Sequence, residues 1–134
     1  MSKHASPVKI SDIYWVAGLI EGEGCFFIRR GNYSSGAFST YREYPGVDVG
    51  GTDKDVIQRA HAILGGTFST ANRKTKGGKT FYAVRLRGKH ALSWMMTLYT
   101  LMGTRRRAKI KEILDKWRAS SLKVGLAPPE VVIA

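Results

Sequence analysis

Cysteine, histidine, proline and acid are all scarce in these 134 residues. The single Cys25 excludes an intrachain disulfide and fits a reducing compartment. No histidine lies near it in sequence, so Cys25 reads as a core residue rather than a nucleophile. His4, His61 and His90 are scattered without ligand spacing, which argues against a zinc site. There are only 10 Asp+Glu against 22 Lys+Arg, a net charge of +12. That balance, with a pI near 10.1, favours a polyanionic partner. No apolar run is long enough to span a membrane. The segment Met1–Pro7 lacks the apolar region of a secretory signal, so an intracellular protein is expected.

Hydrophobic residues make up 43% of the chain, which suits a folded protein rather than a disordered one. One domain is expected over residues 11–118, between a flexible lead, 1–10, and a tail, 119–134, that carries Pro128-Pro129. Neither an internal repeat nor a low-complexity run is present.

The stretch Trp15–Gly24 organises the rest. It reads as an apolar helix over 11–23 that ends in two acids among glycines. Ser11 is a candidate N-cap, and Asp12 suits the first turn. At about 100° per residue, Ile13, Val16 and Ile20 share one face, with Tyr14, Trp15, Gly18 and Gly22 roughly opposite. A helix with one core would be polar on its far side, and this one is not. Gly18 and Gly22 form a small-xxx-small pair, which permits close backbone approach. Mid-helix glycine costs about 1 kcal/mol against alanine, so two of them imply a purpose. The reading is a helix packed on its own domain with one face and on a second copy with the other, through Tyr14, Trp15, Gly18 and Gly22.

Further along, strands are predicted over about 24–31 and 38–50, joined by a polar loop at 31–36. Pro45 implies that the second strand is an edge or bulged there. A helix follows, capped by Thr52 or Asp53, with Val56, Ala60, Ile63 and Leu64 on its apolar face and Gly65-Gly66 at its end. Strands over about 67–73 and 79–87 flank a basic turn, Lys74–Gly78. Helices are expected over about 89–101 and from near Thr104, the latter with Ile110, Ile113, Leu114 and Trp117 on its apolar face. The order α-β-β-α-β-β-α-α gives an α+β domain: one antiparallel sheet with helices on one face. The other face is left with Arg, Lys, Tyr and Thr. Candidate nucleic-acid contacts are Arg29, Arg30, Tyr33, Arg42, Tyr44, Asn72, Arg73, Lys74, Lys76, Lys79, Arg85 and Arg87. A β-ribbon fits the major groove, where Arg pairs bidentately with guanine. Loop cations suit phosphates instead.

The nonapeptide Val16-Ala17-Gly18-Leu19-Ile20-Glu21-Gly22-Glu23-Gly24 resembles the LAGLIDADG motif of homing endonucleases. Five positions match identically: Ala17, Gly18, Leu19, Ile20 and Gly24. It occurs once, as in the single-motif, homodimeric members. Element order over about 11–118 agrees with that fold, whose concave sheet face binds DNA. The resemblance implies a Mg²⁺-dependent, site-specific double-strand DNA endonuclease acting on a near-palindromic target, a hydrolase tied to intron or intein mobility. Mn²⁺ is an alternative cation. Its setting would be a bacterial or phage-infected cytoplasm or an organelle matrix. It further implies Glu23 as the metal-binding catalytic acid, with the Gly22 carbonyl as a second metal ligand. Arg105 falls near the position where the family places a catalytic Lys. The family's Gln position falls on Gly51, which has no side chain. The alternative is a cleavage-deficient relative such as an RNA-splicing maturase, for which RNA becomes a partner. Glu21 is expected to hydrogen-bond locally near the helix end. Two other motifs fail: Gly78-Lys79-Thr80 lacks the earlier P-loop glycine, and Gly22-Glu23-Gly24 follows a helix rather than a strand.

Overall fold

The computed structural model describes residues 8–35, 38–71 and 78–123. Helix α1 (Ile10–Glu23) leads directly into strand β1 (Gly24–Ser35), which turns back as β2 (Phe38–Gly51). Helix α2 (Lys54–Leu64), strands β3 (Thr67–Ala71) and β4 (Phe81–Arg87), helix α3 (Gly88–Leu98), a 3-10 turn (Tyr99–Leu101) and helix α4 (Thr104–Lys123) follow. The expected α+β order holds. All strands are antiparallel in the spatial order β1-β2-β4-β3.

The β1–β2 register runs unbroken from Gly24↔Val49 to Ser35↔Phe38. The loop expected at 31–36 is therefore strand as far as Ser35, because each residue there has a ladder partner on β2 that outweighs turn-like composition. β2 is central, yet Pro45 lies one residue beyond the pairing with β4, which begins at Gly46↔Arg87. There β2 has a single neighbour, as a proline without an N–H donor requires.

Alternation along the strands sends Phe26, Val47, Val49, Val84 and Leu86 to one face, where all are buried. Val16 and Ile20 of α1, Ile57 and Leu64 of α2, Met95 and Leu98 of α3, and Ile110 and Ile113 of α4 cover that face. Burial of each such side chain contributes about 1.5–3 kcal/mol, and no buried side chain among the described residues is polar or charged. On α2 the buried stripe is Ile57, Ala60 and Leu64, with Val56 and Ile63 only half-buried. The inward face is thus rotated by one position from the sequence expectation. Helix α1 starts at Ile10 rather than after Ser11. Lys9 occupies the cap position with no side-chain bond, its carbonyl accepting from Asp12 and Ile13 N–H at 3.0 and 3.1 Å. Asp53 caps α2 by position, also without a side-chain bond. Helix α4 continues through Lys123, past the 118 at which apolar periodicity fades, since no glycine or proline stops it earlier. No helix among the described residues is long and apolar enough to cross a membrane.

Gly66 joins α2 to β3 with φ +81°, and a Cβ there would lie 2.5 Å from the Arg85 carbonyl oxygen. Gly51 is different: its Cβ would meet only Ile57 Cδ1, at 3.8 Å. Gly66→Ala is expected to destabilise by about 1–3 kcal/mol. Gly51→Ala should be neutral or stabilising by about 0.5 kcal/mol. Chemical denaturation midpoints of the two variants check this contrast.

Candidate nucleic-acid interface and helix-end acid

The face of the sheet away from the helices carries Cys25, Phe27 and Arg29 of β1. β2 adds Tyr44, Gly46, Asp48 and Gly50, and β4 adds Phe81, Arg85 and Arg87. Two glycines make room for two rings. Phe27 lies across Gly46, where a Cβ would collide with its ring, and Phe81 reaches within 2.7 Å of the Cβ position of Gly50. Glycine thus lets an aromatic ring lie flat on an open sheet, and Phe27 is only 9% exposed there.

The rings and one acid orient the cations. The Arg29 guanidinium sits 4.2 Å over the Phe27 ring, and that of Arg87 sits 5.5 Å over Tyr44. Arg85 Nε lies 3.8 Å from Asp48 Oδ2. Exposed cation–π contacts and surface ion pairs are each worth about 1 kcal/mol or less. They pre-orient the three arginines without locking them, so a phosphate or base edge can compete. Asp48 was not among the candidate contacts, although alternation with Tyr44 placed it on this face; its Oδ1 is buried without a hydrogen-bond partner. Cys25, expected in the core, is exposed on this same face, because β1 alternation gives the core position to Phe26 instead.

Other candidates fall elsewhere. Arg30 has the opposite alternation to Arg29 and lies 3.5 Å from its cross-strand partner Glu43, on the helix side of the sheet. Lys79 is exposed just before β4. Asn72, Arg73, Lys74 and Lys76, and the side chains of Tyr33 and Arg42, lie outside the described residues.

At the end of α1 the chain changes from helix to strand with no loop. Gly24 makes that possible through close approach: a Cβ there would lie 2.7 Å from Ile20 Cγ2 and 2.9 Å from the Ile20 carbonyl oxygen. The Gly24 N–H closes the helix by donating to the Ile20 carbonyl. Glu23 is exposed at this junction and makes no hydrogen bond or ion pair among the described residues. Beside it opens a recess of about 560 Å³ lined by Gly24, Cys25, Arg105, Arg106, Lys109 and Glu112, among others. Arg105 is exposed and lines that recess together with Gly24, the residue after Glu23. The Glu112 carboxyl is held below the usual carboxylate range by a hydrogen bond from Lys116, with the charges of Lys109 and Lys116 adding to the effect. Arg106 is committed to structure: it donates to the Gly24 carbonyl at 2.6 Å and to the Glu21 carbonyl at 3.1 Å. Glu21 Oε1 accepts from the Gly103 N–H at 2.8 Å. The bond expected to be local therefore crosses from α1 to the start of α4.

The outer face of α1 is an open stripe. Ile10 is 70% and Tyr14 60% exposed. Gly18 and Gly22 continue the stripe at four-residue spacing, and a Cβ on either would meet nothing within 4 Å among the described residues. Trp15, expected on this face, is half-buried against the core instead, with the Arg59 guanidinium of α2 4.1 Å over its ring. One residue of helix turns it about 100° away from Tyr14.

No protein-family model and no curated protein matches the chain. Solved structures do. A LAGLIDADG homing endonuclease, I-GzeII, in complex with its DNA target superposes with a TM-score of 0.61 at 14% identity, over 90% of this chain and 40% of its own. The fold is that of the LAGLIDADG homing endonucleases. The group I intron-encoded homing endonuclease I-CeuI complexed with DNA gives a TM-score of 0.56 at 16% identity, over 90% of this chain and 61% of that one. I-SmaMI bound to cleaved DNA gives 0.53 at 14% identity, over 89% of this chain and 45% of that one. The chain thus spans 40% to 61% of the length of these LAGLIDADG structures.

The open sheet of this LAGLIDADG fold depends on the fit of Phe27 over Gly46. Gly46→Ala is expected to cost about 1–3 kcal/mol by overpacking. In the double variant with Phe27→Ala the collision is gone, so the two effects should couple by at least about 0.5 kcal/mol. A double-mutant cycle by denaturant unfolding checks it; additive effects would mean the ring does not depend on that glycine.

Proposed function

We propose that this chain is a site-specific double-strand DNA endonuclease, dependent on Mg²⁺ and active as a homodimer. The observation that carries the reading is the course of α1. Its open apolar stripe ends at an exposed Glu23 with no bonding partner among the described residues, beside a sheet face that presents Arg29, Arg85 and Arg87. The resemblance of the motif and the DNA complexes among the fold's neighbours support it.

Glycine at 18 and 22 has no steric cause among the described residues. Alanine at either position would favour the helix by about 1 kcal/mol. A second α1 laid against the stripe supplies the missing cause. Pairing of that kind brings two Glu23 carboxylates to one axis and sets two cationic sheets side by side. A two-fold symmetric reader favours a target with matching two-fold symmetry.

The donor set of one chain fits a metal only as a half-site. No group of three or more His, Cys, Asp or Glu side chains among the described residues could hold an ion. Glu23 and the Gly22 carbonyl are hard oxygen donors, and Mg²⁺ is commonly held by one or two carboxylates, with water and substrate phosphate completing its shell. Glu23 and Gly22 would hold it. Bound there, it supplies water activation and stabilises charge on the phosphate. Arg105 offsets phosphate charge from the recess and cannot serve as a base, because guanidinium does not deprotonate in proteins. Arg29, Arg85 and Arg87 hold the duplex against the sheet and read base edges.

A second reading, nucleic-acid binding without cleavage as in a maturase, is favoured by one observation. Gly51 stands where the family carries Gln, and its Cβ direction points to Ile57 on the helix side. Incubation with a randomised duplex library in Mg²⁺, followed by sequencing of cut ends, separates the readings. Recovery of a symmetric cut site supports the nuclease; tight binding with no cut supports the second.

Glu23→Gln keeps size and hydrogen bonding but removes charge. It is expected to abolish cleavage and leave the DNA dissociation constant within about threefold, a change of roughly 0.7 kcal/mol or less. Full cleavage by pure Glu23→Gln dimers would exclude this residue. Gly18→Leu should split the dimer, because a side chain overpacks the contact by about 1–3 kcal/mol or more. Light scattering at matched concentrations reads the change in mass; a monomeric wild type, with and without DNA, would refute the dimer.

A further inference from the structure

We infer that Arg106 and Glu21 form a reciprocal latch that positions Gly22 and Glu23 for a metal ion. Arg106 then acts as a positioning residue of the proposed nuclease site, and the inference rests on that reading of Glu23. The argument begins with helix ends. The last four carbonyls of α1 lack intrahelical partners, as do the first N–H groups of α4. The C-terminal end of a helix is partly negative and the N-terminal end partly positive. Arg106 lies in the first turn of α4, where a cation is disfavoured, and Glu21 lies in the last turn of α1, where an anion is disfavoured.

Each residue is placed against its own helix dipole and in favour of the other's. The Arg106 guanidinium lies at the negative end of α1, donating to the Glu21 and Gly24 carbonyls. The Glu21 carboxylate lies at the positive end of α4, accepting from Gly103 N–H. Arg106 Nε and Glu21 Oε2 stand 3.9 Å apart, an ion pair without a hydrogen bond, and that Nε is buried with no other partner. The Arg106 side chain is only 14% exposed.

The residues that the latch grips are 21 and 24. Those between them are 22 and 23. Ile20's carbonyl is closed by Gly24 N–H, and those of Glu21 and Gly24 by Arg106. No side-chain or turn hydrogen bond to the Gly22 carbonyl is present among the described residues. The latch therefore fixes both flanks of the donor pair and leaves the pair itself uncovered. Lys at 106 keeps the charge but is a point donor on a flexible stem, and cannot span two carbonyls as a planar fork does.

The test is a Mn²⁺ titration of the purified protein, followed by NMR line broadening of the Gly22, Glu23 and Gly24 amides. Mn²⁺ alone is the probe. Wild type should broaden at these amides first, and Glu23→Gln should lose that selectivity. Arg106→Ala is expected to raise the Mn²⁺ concentration for half-maximal broadening by about 10- to 100-fold, as loss of an outer-shell partner does. Arg106→Lys should recover little of it. Glu21→Gln, which keeps an acceptor for Gly103 but frees Arg106 of its counter-charge, should raise it less; it decides the matter if Arg106→Ala does not fold. If Glu23→Gln broadens like wild type, the metal reading itself fails. If Glu23→Gln alone loses the ion while the Arg106 and Glu21 variants match wild type, the latch is overturned and the metal reading stands.

Discussion

Helix α1 passes into strand β1 with no residue between them, and the rest of the structure depends on that junction. A helix needs its last carbonyls satisfied, and a strand needs an extended backbone. Gly24 meets both demands because it has no Cβ to strike Ile20, while its N–H closes the helix. The junction then fixes where everything else lies. Val16 and Ile20 are pinned to the core, Phe26 begins the buried side of the sheet, and Glu23 is held at the boundary between helix layer and open face. Arg106 and Glu21 close the same junction from the side of α4. A two-residue loop there would free Glu23 from both.

The two faces of the sheet solve opposite problems. The helix side is a packed apolar core. The open side carries arginines and still covers its backbone. Large rings over glycines achieve this, since Phe27 and Phe81 lie on the strand surface where β-branched side chains would stand upright. The Phe27 ring then serves as a platform for Arg29, and Tyr44 does the same for Arg87. Asp48 gives Arg85 a comparable hold at the cost of an acid on a cationic face. Weak ties of this kind reduce the side-chain disorder that ligand binding would otherwise have to remove.

On the proposed reading, the outer stripe of α1 and the single set of donors at its end are two forms of the same incompleteness. Ile10 and Tyr14 are exposed, and two helix glycines have no steric cause among the described residues. Nor does any group of three or more His, Cys, Asp or Glu side chains among the described residues gather as a metal site. The proposed homodimer and its DNA answer both at once, so the symmetry of the assembly and the chemistry of the site are one problem.

Local pattern alone determined much of this protein. The order of elements, the end of α1 at Gly24, the core sides of β2 and β4, and the placement of Glu23 follow from periodicity and from side-chain shape, which act over a few residues. The motif resemblance led to the fold that the solved structures share. Tertiary structure decided the rest, because those outcomes depend on partners distant in sequence. The strand continued through 31–35 because β2 supplied a ladder. The inward face of α2 shifted to Ile57. Trp15 turned to Arg59, and Cys25 came to the surface once Phe26 took the core. Arg106 was distinguished from Arg105 and Arg107 only by carbonyls more than 80 residues earlier. Three adjacent arginines are alike in one dimension; helical geometry aims each about 100° from the next, and among the described residues the middle one is the arginine that hydrogen-bonds the carbonyls at the end of α1.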